Sequence, residues 1–102
     1  MKVVVDGAAG TVGVVEADNL KALSVELHSV EEARANLLLK GFGWIADGHA
    51  WLSIDELRTY GPVPNDREWN AHFDATMEWA KSKGWTEVSG QFVRAHIETL
   101  SA

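Results

Sequence analysis

The chain predicts an α+β fold, a mainly antiparallel sheet with about three helices packed on one face, in a single domain over residues 1–102. Three observations lead there. Capping signals mark three helix starts, two dipeptides read as tight hairpin turns, and apolar residues between them alternate at strand spacing. A length of 102 residues suits one compact domain, and 46% hydrophobic with 24% charged residues is a globular composition. One feature departs from the ordinary: five Trp against one Tyr and three Phe.

The first element is a glycine-rich hairpin. Val3-Val4-Val5-Asp6 enters Gly7-Ala8-Ala9-Gly10 and leaves through Thr11-Val12-Gly13-Val14-Val15. The spacing of Gly7, Gly10 and Gly13 after a valine run resembles the GxxGxxG turn of extended short-chain dehydrogenases. That resemblance implies a dinucleotide pyrophosphate seated on a helix N-terminus. Val14-Val15, however, reads as strand where the motif needs a helix, and the chain is too short for a doubly wound sheet plus a substrate region. The segment is therefore read as two valine strands joined by a loose turn, with no dinucleotide site.

Leu23, Val25 and Leu27 alternate with Ser24, Glu26 and His28, the period of a half-buried strand. Ser29-Val30-Glu31-Glu32 then starts a helix running to about Lys40, with Gly41 at its end and Val30, Ala33, Leu37 and Leu38 as its apolar face. Asp47-Gly48 joins Trp44-Ile45-Ala46 to His49-Ala50-Trp51-Leu52, because both positions of a type I′ turn want positive φ. That fixes the register: Ala46 opposes His49, Ile45 opposes Ala50, and Trp44 opposes Trp51. Ser53-Ile54-Asp55-Glu56 opens a short second helix that stops before the turn Gly61-Pro62-Val63-Pro64. A third helix runs from Asp66 to about Lys83, capped by Asn65 three residues before Glu68, with Trp69, Phe73, Thr76, Met77 and Ala80 as its stripe. Ser89-Gly90 joins Trp85–Val88 to Gln91–Glu98 as a final hairpin. Phe92, Val93, His96, Ile97 and Leu100 also fit one face of a helix, so the last segment has a helical alternative.

Several function classes are excluded by composition. Nine Lys+Arg against 15 Asp+Glu give a net charge of −6. The bases are scattered singly, without the stripe that phosphate contacts need, so neither nucleic acid nor an anionic membrane is an expected partner. Zero Cys removes disulfides, thiolate metal sites and cysteine nucleophiles. No run approaches a membrane span or a signal-peptide core, and a cytoplasmic protein without cofactor is expected.

The two later hairpins each pair an aliphatic face with an aromatic, ionisable one. Ile45, Ala50 and Leu52 share the first hairpin's aliphatic side, opposite Trp44, Ala46, His49 and Trp51. In the second, Thr86, Val88, Val93, Ala95 and Ile97 lie opposite Trp85, Glu87, Phe92, Arg94, His96 and Glu98. Trp85 falls across from Arg94, a place for a guanidinium over an indole. Helices can cover the aliphatic side. The face of Trp44, His49, Trp51, Trp85, Phe92 and Arg94 is left for a second copy of the chain, as in a homodimer, or for a small-molecule cleft. An enzyme alternative uses His96 with Glu98, two apart on one strand, as a metal-independent acid–base pair. A metal site from His28, His49 and His96 ranks lower, since no short His spacing forces them together. His72 reads as a helix-edge packing residue.

Overall fold

The computed structural model describes residues 1–62 and 65–100, so Val63 and Pro64 of the expected Gly-Pro turn lie outside the described residues. In chain order come β1 (Lys2–Asp6), β2 (Thr11–Val15), β3 (Ser24–His28), α1 (Glu32–Leu38), β4 (Gly43–Ala46), β5 (His49–Ser53), α2 (Ile54–Arg58), α3 (Arg67–Ser82) and β6 (Phe92–Leu100). The strands form one six-stranded sheet in the order β2-β1-β3-β6-β5-β4. The class is α+β.

The sheet is mixed, which corrects the expectation of a mainly antiparallel one. β1–β2, β4–β5 and β5–β6 are antiparallel, whereas β1–β3 and β3–β6 are parallel. Alternation along one strand carries no information about its neighbour's direction. β2 brings the chain back to the end of the sheet where β1 begins, and residues 16–23 carry it past that end. β3 therefore starts beside Lys2 and runs alongside β1 in the same direction.

The hairpins follow their turn chemistry. Asp6 caps the glycine-rich tip, its carboxylate accepting from the backbone N–H of Ala8 (2.9 Å) and Ala9 (3.1 Å), so that Gly7–Gly10 is a turn between strands. The second hairpin turns through Asp47 and Gly48 at φ 54° and 77°, in the expected register of Ala46 with His49, Ile45 with Ala50, and Trp44 with Trp51. The last segment is a strand and not a helix. β6 has ladder partners on both sides, β5 along its first half and β3 along its second. The arm before it shrinks to one bridge, Thr86 with Val93, in the expected register. Val88, assigned to the aliphatic face, sits fully exposed in the turn.

Helix ends differ in how well local chemistry marked them. Ser53 caps α2 by accepting from Glu56 N–H (3.2 Å); at α3 the cap is Asp66 and not Asn65, which sits at φ 59° one residue earlier, the Asp66 carboxylate accepting from Glu68 (3.0 Å) and Trp69 (3.2 Å). Ser29 does not cap α1. Its N–H is bonded to the Leu100 carbonyl (3.1 Å), holding it at the end of the sheet, and the helix begins at Glu32. The face α1 buries is also different: Ala35 and Leu39 are buried and Leu38 is half-buried, while Ala33 is exposed and Leu37 is 75% exposed.

Strand alternation gathers the core. Val3, Val5, Val25, Leu27, Ala50, Leu52, Val93 and Ala95 are buried at every second position, and Ala35, Leu39, Leu57, Trp69, Phe73 and Ala80 join them in one cluster. Trp69 and Phe73 stack at 5.1 Å, and the Arg58 guanidinium lies 4.9 Å over the Phe73 ring. The Trp69 indole N–H donates to the Ala17 carbonyl (2.9 Å), fastening the 16–23 segment to α3. No helix among the described residues is long and apolar enough to cross a membrane.

Candidate functional site

The opposite parity of the same strands makes a second surface of half-buried and exposed residues. One row across the ladder is Lys2, Ser24, His96 and His49. On one side of it lie Val4, Glu26 and Glu98, and on the other Arg94, Trp51 and Trp44. Every residue assigned to the aromatic, ionisable face, except Trp85 and Glu87, takes this parity on a strand.

The aromatic members separate into two groups. Trp44 stacks on Trp51 at 6.4 Å and meets Phe92 edge-on at 4.7 Å. Trp85 is elsewhere: its backbone N–H donates to the Ala80 carbonyl (3.0 Å) at the end of α3, and its ring meets Trp79 edge-to-face at 4.9 Å. The expected guanidinium–indole pair with Arg94 is therefore replaced by an indole–indole pair. Arg94 and Trp85 instead meet through the backbone, Arg94 N–H donating to the Trp85 carbonyl (2.7 Å).

That hydrogen bond marks a junction. Along the edge of β6 away from β5, the neighbour changes between Arg94 and His96, from the 85–87 segment to β3. A groove of about 500 Å³ opens there, between the 20–24 segment, α3 and β6. Trp79, Trp85, Met77, Leu20 and Leu23 supply its apolar surface; Arg94, His49, His96, Glu98 and Lys2 supply its polar one. A second lobe of about 660 Å³ shares Leu20, Lys21, Thr76 and Trp79 with it and extends to Asp18 and His72. Of the assigned residues, His49, Trp85, Arg94, His96 and Glu98 come together in the groove, while Trp44, Trp51 and Phe92 stay outside it.

The electrostatics are uneven. Lys2 is committed to Glu16 (3.2 Å) and Glu26 (3.4 Å), and the other Glu26 oxygen meets His28 Nε2 at 3.0 Å. Hydrogen bonding to His28, then to Lys2, holds the Glu26 carboxyl below the usual carboxylate range, and Glu16 followed by Glu26 raises the Lys2 ammonium. The half-buried Arg94 makes no ion pair among the described residues. His96 and Glu98 are both exposed, and the histidine bonded to a carboxylate two residues away is His28. His28, His49 and His96 share the sheet face, but among the described residues no three His, Asp or Glu side chains stand close enough to hold a metal.

Sequence reasoning missed the groove's other walls. Trp79, 52% exposed, falls outside the apolar stripe of the third helix, and the 17–23 segment has no periodicity. What brings them together is tertiary: the Trp69–Ala17 bond and the change of neighbour along β6. Compared with known protein families, curated proteins and solved structures, the chain matches none of them.

Proposed function

We propose that the chain is a small binding module whose groove takes a flat, largely apolar molecule bearing an acidic group. One observation carries the reading: in a chain of net charge −6, the half-buried Arg94, which has no ion-pair partner among the described residues, lines the same open groove as the Trp79–Trp85 pair. Indole faces and edges take planar apolar ligands, and Arg is the side chain best matched to a carboxylate or sulfonate. The polar groups would then set orientation in a mostly apolar cleft of ordinary ligand-site size. As part of the same proposal the three helices cover the aliphatic face of a single domain, and the protein is a cytoplasmic homo-oligomer.

The test is fluorescence titration with 8-anilino-1-naphthalenesulfonate and with uncharged N-phenyl-1-naphthylamine, on protein shown to be folded by circular dichroism. The sulfonate binds saturably, and Arg94→Gln weakens it about tenfold or more, the worth of one charge-assisted hydrogen bond, while the neutral probe is little affected. Equal sulfonate affinity in wild type and Arg94→Gln, or no saturation, overturns the reading. A second reading, a metal-independent enzyme using His96 and Glu98, is favoured by His49 and His96 facing each other across β5 and β6 at the same groove. Its mark is loss of turnover in His96→Gln with ligand affinity retained.

A further inference from the structure

The two edges of the sheet are treated differently. In β4 the residues facing away from β5 are Gly43 and Ile45, and both outward N–H groups are occupied. Gly43 donates to the Leu39 carbonyl (3.0 Å) and Ile45 to the Asn36 side-chain oxygen (3.0 Å). Edges closed this way do not recruit another strand.

β2, at the other end of the sheet, has no such cover. In β1 the odd-numbered residues face β3, since Gly7 N–H donates to His28 and Ser24 N–H to Met1. The even ones therefore face β2, and the register of Lys2 with Val15, Val4 with Gly13 and Asp6 with Thr11 makes these the hydrogen-bonded pairs. Val12 and Val14 consequently point their N–H and C=O groups outward, and no protein group among the described residues takes them. The strand, Thr-Val-Gly-Val-Val, holds no charge, and Val15 is 47% exposed.

We infer that β2 pairs with β2 of a second copy, antiparallel about a two-fold axis at Gly13, to give a continuous twelve-stranded sheet. The sequence is nearly palindromic about Gly13, so Val12 of each copy meets Val14 of the other and Thr11 meets Val15. The outward parity makes both Val12–Val14 pairs hydrogen-bonded ones, and their four N–H···O=C bonds use every free backbone group of the two edges. Gly13 meets Gly13 in the closer, non-hydrogen-bonded position. No like charges are brought opposite each other. A five-residue edge is small beside stable interfaces, so the dimer forms at high protein concentration, with Kd between about 1 μM and 1 mM. This inference is independent of the groove and its ligand.

Sedimentation equilibrium tests it. A Cβ at Gly13 meets nothing within 4 Å in the monomer, so Gly13→Glu and Gly13→Lys are compatible with the fold. Each alone sets like charges opposite each other across the axis and raises Kd at least about tenfold, and an equimolar mixture restores dimer. Val14→Pro removes one outward N–H without touching the β1 ladder, which an edge strand tolerates, and also weakens association. A wild type that stays monomeric to about 1 mM overturns the inference. So does a dimer indifferent to the Gly13 variants, as does one abolished by Trp51→Ala instead, which would locate the contact on the aromatic face.

Discussion

Trp69 ties the stability of the fold to the shape of the groove, and Trp69→Phe separates its contributions. The substitution keeps an aromatic ring on Phe73 but removes the indole N–H that reaches Ala17, 52 residues earlier in the chain. Losing that hydrogen bond costs about 0.5–1.5 kcal/mol. Removing the pyrrole portion of a side chain only 7% exposed leaves a void, adding about 1–2 kcal/mol. The sum is about 1.5–3.5 kcal/mol. At roughly 4–8 °C per kcal/mol for a domain near this size, Tm falls by about 6–28 °C. Far-UV circular dichroism is the assay, because the substitution itself changes the fluorescence. Trp79→Phe, at an exposed ring, shifts stability by about 0.5 kcal/mol or less. The released 16–23 segment also loosens the wall at Leu20 and Leu23, so sulfonate affinity falls in Trp69→Phe even where the protein remains folded. A melting temperature within about 3 °C of wild type would refute the claim that this bond fastens the segment.

Other consequences follow from single contacts. Asp66→Ala frees two N–H groups at the start of α3 and costs about 1–2 kcal/mol by urea denaturation, whereas Ser53→Ala, losing one bond on a shorter helix, costs about 0.5–1 kcal/mol. Gly43→Ala brings its Cβ into the Trp51 carbonyl and destabilises by more than about 3 kcal/mol, while Gly13→Ala, in open space, is near neutral; comparable melting curves would contradict this. Because the Glu26 carboxyl is held below its ordinary range, its contribution is present above that range and is lost as pH falls through the lowered folded value. Glu26→Gln is therefore less stable at pH 7 and shows a shallower loss of stability in acid, below about pH 4.3, than wild type.

Local chemistry made the hairpins and two of the three helix starts legible. Asp47-Gly48 set a register that placed Trp44 on Trp51, and the alternation of Val93 and Ala95 with Arg94 and His96 carried the faces of β6 correctly even though its opposite arm is a single bridge. What could not be read was how strands choose neighbours. The parallel placement of β3 between β1 and β6 depends on where the 16–23 segment goes, and nothing in its residues says so. Ser29 had the right chemistry for a cap and was claimed by the sheet instead, through Leu100. The site divides similarly. Arg94, His49 and His96 were recovered from strand parity, whereas Trp79 and Leu20 enter the groove only through tertiary contacts, and Trp85 follows the end of α3 rather than the face of a hairpin. The glycine-rich opening shows the converse: Gly7, Gly10 and Gly13 have a nucleotide-binding spacing, yet Asp6 closes the turn and the strand beyond it leaves no helix N-terminus for a phosphate.

Five indole N–H groups give five resolved reporters of where a ligand sits. Titration of 15N-labelled protein with naphthalene-1-sulfonate, followed through these signals, tests the groove directly. The Trp79 and Trp85 signals should move together and saturate, with those of Trp44 and Trp51 unchanged and the response weakened in Arg94→Gln. Movement confined to Trp44 and Trp51, or a saturable response that Arg94→Gln leaves intact, would contradict the assignment of the groove as the binding site.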